Sequence, residues 1–189
     1  MIPPPSSTIW KLLTQHSSRW GYVELVIDTT SDLASLTSQP QPSKLKKFDL
    51  LSDLKITARR RHNSSTGGSI NCFADAQSLR RVTFTTQSMP DPDYKPPKIT
   101  FSLPWHQLEI FRSQGDGDNA FQELIQAGPP NLKSIQYNVI HLYLQSVNVF
   151  LTMRKLEILR VQVHHGVSEL GMLIDQRILP SLRELVLVA

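Results

Sequence analysis

The sequence predicts an α/β solenoid, a stack of short repeats that lines up one strand per repeat into a parallel sheet. Three observations carry this prediction. The frame L-x-x-L-x-L, or a close apolar variant of it, occurs seven times along the chain. The frames follow one another at nearly constant distance, and runs rich in Pro, Gly and polar residues separate them. The second half of the frame alternates, which suits a strand because residues two apart share a face. A strand this short cannot bury its apolar side alone, so it implies stacked neighbours of the same kind.

The elements follow in chain order. After Pro3, Pro4 and Pro5, Ser6 and Ser7 offer caps for a helix through Ile9, Trp10, Leu12, Leu13 and His16. Trp20, Val23 and Leu25 make the first frame. Ser31 and Asp32 can cap a helical turn over Leu33 and Leu36. Leu45, Phe48 and Leu50 make the second frame, within LKKFDLLSDLKIT. Residues 57–69, almost without apolar content and with Gly67 and Gly68 adjacent, read as an exposed loop. A compact turn over 71–76 leads to Leu79, Val82 and Phe84. Residues 86–97, with four prolines, form a second loop. Pro104 and Trp105 introduce Leu108 and Phe111, a weaker frame because Ser113 takes the third place.

A turn over 115–119 precedes a helix carrying Ala120, Phe121, Leu124 and Ile125, with Asp118 as a cap; Gly128, Pro129 and Pro130 stop it. Leu132, Ile135 and Tyr137 follow as the fifth frame. Residues 139–151 suit helix or strand equally. Leu156, Leu159 and Val161 are the sixth frame, and Ser168 caps a helix over Leu170, Leu173 and Ile174. The last frame, Leu182, Leu185 and Leu187 in LPSLRELVLVA, is the cleanest. The frames start at 20, 45, 79, 108, 132, 156 and 182, so the intervals are 25, 34, 29, 24, 24 and 26. Leucine-rich repeats have a period of about 20–29 residues. The expectation is therefore an irregular leucine-rich repeat solenoid of about seven repeats with a parallel concave sheet. An ordinary α/β domain with several parallel strands is the alternative.

The positions between anchors face away from the core and form the candidate binding face. They are Tyr22, Glu24, Lys47, Asp49, Arg81, Thr83, Ile110, Arg112, Gln136, Asn138, Ile158, Arg160, Gln162 and Glu184. Thr85 and Ser134 share their parity. Arg81, Arg112 and Arg160 stand out, since Arg is favoured at interfaces and pairs bidentately with carboxylates. A solvated face without a partner is the competing interpretation. The ninth position of each frame holds Asp28, Asp53, Gln87, Asp116, Ile140 and His164, and the polar ones can bond the turn backbone.

Four segments carry a resemblance. HSSRWGYVEL (16–25), CFADAQSLRRVTF (72–84), LPWHQLEIF (103–111) and LPSLRELVL (179–187) resemble the leucine-rich region of fungal F-box proteins. The family pattern is an RW-x-x-(V/L)-x-L start, FA-x-A-P-x-LR, LPW-x-x-L and LPxLRxLxL; Gln77 stands where Pro is usual. The resemblance implies substrate recognition for a cullin-RING ubiquitin ligase, with the repeats as the receptor surface. The F-box itself, a helical segment opening with a Leu-Pro pair, is not in this sequence, so ligase docking carries over to no residue. Ligase subunits are expected as partners only together with an upstream F-box. The expectation is one domain over 1–189, incomplete at both ends.

Composition bounds the remaining readings. Of 189 residues, 40% are hydrophobic and 19% charged, which is ordinary for a globular protein. Twenty Lys and Arg against sixteen Asp and Glu leave a net charge of +4, too little to argue for nucleic acid on its own. One cysteine, Cys72, forms neither an internal disulfide nor a thiolate metal site and reads as a small buried apolar residue. The N-terminus lacks the basic and apolar regions of a secretory signal, and no apolar run is long enough to span a membrane. Cytoplasm or nucleus is expected, with no membrane association.

Chemical motifs are sparse. Gly67 and Gly68 lack the Lys and the spacing of a phosphate loop, and no G-x-S-x-G elbow occurs. His164 and His165 are adjacent and point apart in a strand, so they do not share a metal. His106 and His141 stand alone. Neither a catalytic residue, a metal nor a cofactor is assigned, and the chain is read as a non-enzymatic protein-interaction module. The alternative is a basic nucleic-acid-associated protein using a loop that contains Arg59, Arg60 and Arg61, followed by His62, with Arg80 and Arg81 further on.

Overall fold

The computed structural model describes residues 15–27, 48–59, 68–87, 99–115, 118–139, 153–163 and 179–188. Its strands, in chain order, are β1 (Tyr22–Ile27), β2 (Asp53–Arg59), β3 (Gly68–Ile70), β4 (Arg81–Gln87), β5 (Ile99–Phe101), β6 (Ile110–Gln114), β7 (Ser134–Val139), β8 (Ile158–Val163) and β9 (Glu184–Val188). The one α-helix that lies wholly within the described residues, α1 (Asp118–Ala127), falls between β6 and β7. Seven strands make one sheet in the order β1-β2-β4-β6-β7-β8-β9, every pair parallel, while β3 and β5 pair in a second, two-stranded parallel sheet. Each circuit therefore returns the chain to the same edge, one strand further on. The architecture is a parallel-sheet solenoid with little helix among the described residues.

The register explains the repeat. Val23, Leu54, Val82, Phe111, Ile135, Leu159 and Leu185 stand side by side across the sheet. Leu25, Ile56, Phe84, Ser113, Tyr137, Val161 and Leu187 form the next row. Stepping back three residues, the first anchors are Trp20, Leu51, Leu79, Leu108, Leu132, Leu156 and Leu182. Six of the seven frames read from the sequence are thus in register. The second is not: its anchors are Leu51, Leu54 and Ile56, six residues beyond Leu45, Phe48 and Leu50. LKKFDLLSDLKIT contains both frames, and burial decides between them, because Leu51 and Ile56 are buried whereas Leu50 is exposed. The corrected starts give intervals of 31, 28, 29, 24, 24 and 26, which removes the outlier of 34.

Phe48 has a different job. Each first anchor's N–H donates to the carbonyl three residues earlier, closing a tight turn before every strand of the main sheet: Trp20 to Ser17, Leu51 to Phe48, Leu79 to Ala76, Leu108 to Trp105, Leu132 to Pro129, Leu156 to Met153 and Leu182 to Leu179. Ser17, Phe48, Ala76, Pro129, Met153 and Leu179 are buried and Trp105 is half-buried, so the repeat carries a further inward position before the Leu frame. The residue just before the first anchor often ties turn to turn through its side chain. Ser78 donates to the Asp49 carbonyl, Gln107 to Ala76, Asn131 to His106 and Ser181 to Arg154.

A second ladder runs along the strand entrances. One carbonyl per repeat accepts two N–H groups of the next: Gly21 from Ser52 and Asp53, Ser52 from Arg80 and Arg81, Arg80 from Glu109 and Ile110, Glu109 from Lys133 and Ser134, Lys133 from Glu157 and Ile158, Glu157 from Arg183 and Glu184, all at 2.8–3.1 Å. From Arg80 onward this column alternates in charge as Arg80, Glu109, Lys133, Glu157 and Arg183. Glu109 sits 2.8 Å from the Lys133 ammonium and 4.0 Å from the Arg80 guanidinium. The Lys133 hydrogen bond holds its carboxyl below the usual carboxylate range.

The core lies between the main sheet and the elements behind it. Behind β4, Phe101 of β5 packs on Phe84 with ring centroids 4.4 Å apart. Behind β6 and β7, α1 turns Ala120, Phe121, Leu124 and Ile125 inward, all buried as the sequence spacing predicts. Phe121 stacks on Tyr137 at 4.0 Å, and Glu123 accepts the Phe101 N–H through both carboxylate oxygens, joining the helix to β5. Gly128, at φ 56°, ends the helix and donates to the Leu124 and Ile125 carbonyls. Gly115, at φ 92°, leaves β6 where an added Cβ would collide with the Thr86 carbonyl.

Residues 57–59 and 68–69, expected in an exposed loop, belong to β2 and β3, and Thr57 is buried. Thr86 and Gln87, expected in the second loop, extend β4. The helices expected near Ile9, Leu33 and Leu170, and the ambiguous stretch beyond Val139, lie outside the described residues apart from the turn at His16. Among the ninth positions, Asp28, Asp116, Ile140 and His164 also lie outside them. Gln87 closes β4. Asp53, on the corrected register, is an outward residue of β2.

Ser113 breaks the inward row. It is buried, and its hydroxyl is the one buried side-chain polar atom among the described residues without a hydrogen-bond partner. An unsatisfied buried hydroxyl costs about 1–3 kcal/mol. Ser113→Ala should therefore stabilise the chain by about 1 kcal/mol, seen as a higher urea midpoint at unchanged slope. A lower midpoint would show that the hydroxyl has a partner in solution.

Candidate interaction face

The outward face of the main sheet is three rows deep. The first row reads Tyr22, Asp53, Arg81, Ile110, Ser134, Ile158 and Glu184; the second Glu24, Lys55, Thr83, Arg112, Gln136, Arg160 and Val186; the third Val26, Thr57, Thr85, Gln114, Asn138, Gln162 and Val188. Twelve of the fourteen residues predicted for the face occupy it, and none of the twelve is buried. The other two fall with the misplaced second frame. Asp49 is in the turn before Leu51, and Lys47 lies outside the described residues. Their places on the face belong to Asp53 and Lys55, which LSDLKI would have supplied had the later frame been chosen.

Most charges on the face are satisfied from within. Lys55 and Glu24, directly opposite on β2 and β1, are 2.8 Å apart, and Tyr22 donates to the same carboxylate at 2.8 Å. These two hydrogen bonds, Lys55's first, hold the Glu24 carboxyl below its ordinary range; the bond to Glu24 raises the Tyr22 phenol. Arg81 grips the Asp53 carboxylate opposite it on β2 with both Nε and a terminal nitrogen. Arg160 reaches diagonally to Glu184 at 2.8 Å. Asn138 donates to Gln162 at 2.9 Å. Two of the three arginines picked out by the sequence are thus engaged by neighbouring strands. Arg112, on the central strand β6, is exposed and meets no carboxylate among the described residues.

Beyond the face, little chemistry gathers. No group of three or more His, Cys, Asp or Glu residues assembles among the described residues, and none of their helices is long and apolar enough to cross a membrane. Arg59 ends β2, and Arg60 and Arg61 lie outside the described residues, so the nucleic-acid alternative keeps only its sequence basis. The chain matches no family model, no curated protein and no solved structure.

Cys72 packs against the core in the turn after β3, and burial pushes its thiol up to about 12. Only the thiolate is nucleophilic. Native Cys72 should alkylate at least about 100-fold more slowly than the urea-unfolded chain at pH 8, with a rate still climbing at pH 10, where an ordinary thiol has levelled off. Fast native labelling with a plateau near pH 9 would contradict the burial.

Proposed function

We propose that this chain is a non-enzymatic protein-interaction module that binds its partner on the outward face of the seven-stranded sheet. The observation that supports this is the face itself: three rows held at one register across all seven strands, exposed or half-buried everywhere but at Thr57, with hydrogen-bonding and charged side chains around two half-buried isoleucines. Such a surface is preorganised, because its five inner strands are tied into ladders on both sides, and it offers many weak contacts over a wide area. We read the solenoid as a leucine-rich repeat array. The seven L-x-x-L-x-L frames, at intervals of 24 to 31 residues, support that reading. With the resemblance to fungal F-box proteins, the role proposed is the substrate-recognition part of a ubiquitin-ligase receptor.

Affinity capture with the purified chain tests the binding role. Thr83→Lys and Gln136→Arg add bulk and charge to the centre of the face without touching the core. Proteins captured by the parent chain should be lost with this pair of changes while the melting temperature holds. Capture that ignores the changes would rule out the face. Cullin-ligase subunits should be recovered only when the upstream coding region is included, and their absence there would remove the ligase role.

A further inference from the structure

The charges on the outward face are not evenly spent. Among the described side chains it carries four cations, Lys55, Arg81, Arg112 and Arg160, and three carboxylates, Glu24, Asp53 and Glu184. Each carboxylate is held by a cation of a neighbouring strand, which leaves Arg112 alone. Its lateral neighbours in the register are Thr83 on β4 and Gln136 on β7. They stand about 4.8 Å away on either side, the ordinary spacing of paired strands. Among the described residues, the side chains of Thr83, Arg112 and Gln136 make no hydrogen bond or ion pair with one another or with a neighbour. Ile110 lies two residues before Arg112 on the same strand, and Ile158 lies in the same row two strands on; both are half-buried.

We infer that Arg112, flanked by Thr83 and Gln136, is a carboxylate-reading site for an extended segment of a partner protein that places an Asp or Glu over Arg112 and an apolar side chain over Ile110. This rests on the outward face being the binding surface and names the chemistry that the face selects. A planar guanidinium offers two parallel N–H donors to a carboxylate. The hydroxyl and the amide beside it are free to complete the carboxylate's remaining acceptor sites. Ile110 lies about 7 Å along the strand, two residues of rise, while Ile158 is a further two strand spacings, about 10 Å, to the side beyond Ser134. The first of these distances is also that between same-side residues of an extended ligand. The neighbouring ion pairs sharpen the choice. A basic segment would meet Arg112, Arg81 and Arg160 in turn, and the carboxylates near it are already engaged.

The test is selection of a random seven-residue display library on the immobilised full chain, in parallel with Arg112→Gln, Arg112→Lys and the face-blocking pair Thr83→Lys with Gln136→Arg. The parent should select an acidic residue at one fixed position with an apolar residue two places away. Arg112→Gln should still select peptides but without the acidic position, and should weaken the parent's best peptide about ten-fold or more. Arg112→Lys should retain part of that affinity, having charge without the fork. If the parent's peptides bind, are lost on the face-blocking pair and carry no acidic preference, the carboxylate site is wrong while the face stands. If the face-blocking pair leaves selection unchanged, the face itself is wrong. An acidic position that survives Arg112→Gln, or peptides displaced by single-stranded RNA and not by excess acidic peptide, would also overturn the site.

Discussion

Replacing Phe111 with alanine should lower the stability of the chain by about 3–5 kcal/mol, the range for removing a large aromatic from a packed core. Phe111 is fully buried on the central strand β6, and its ring lies 5.9 Å from Phe84, 6.4 Å from Trp105 and 6.4 Å from Phe121. Those partners come from three elements: the neighbouring strand, the turn before β6, and the helix behind. Through Phe84 the array continues to Phe101, and through Phe121 to Tyr137. No single side chain can close the gap left by the ring without breaking another pair. Urea unfolding followed by tryptophan emission measures the loss. A change below about 1 kcal/mol would mean that the aromatic array is not packed as described.

The second large effect is a contrast. Leu159→Ala should cost about 2–5 kcal/mol, whereas Leu185→Ala should cost about 1 kcal/mol or less. The two residues are direct partners in the register and occupy the same place in their frames, so the sequence alone assigns them equal weight. Their surroundings differ. Leu159 is 3% exposed between β7 and β9, while Leu185 on β9 is 40% exposed. Burial and the cavity left behind set the cost, and a residue still in contact with water has little of either to lose. Equal losses in thermal unfolding would show that β9 is covered in solution.

Much of the architecture was legible because the L-x-x-L-x-L frame is both local and repeated. Six of seven strands, the helix over Ala120 to Ile125 and twelve face positions follow from counting along the chain. The failure at the second repeat has a simple cause. LKKFDLLSDLKIT offers two frames six residues apart, and local pattern has no term for which set of leucines meets a neighbouring strand. The inward position three residues before the frame was hidden by chemistry, since Ser17, Phe48, Ala76, Trp105, Pro129, Met153 and Leu179 share little except their place in a turn. β3 and β5 are three residues each and carry no alternation long enough to read. Arg112 was picked out with Arg81 and Arg160, yet what sets it apart, the lack of an internal carboxylate, depends on cross-strand neighbours 24 to 29 residues away.

The alternating charges at the strand entrances bear on how the chain avoids stacking wrongly. Every strand of the main sheet carries nearly the same apolar frame, so core burial alone would accept β7 laid beside β4 with β6 left out. In the native order Arg80, Glu109, Lys133, Glu157 and Arg183 place unlike charges side by side. Skipping one repeat would set Arg80 against Lys133, Glu109 against Glu157 or Lys133 against Arg183. Exposed pairs of this kind add little to the native state, but like charges forced opposite each other penalise the misassembled one. The column thus separates the correct stack from its nearest competitor chiefly by raising the energy of the competitor.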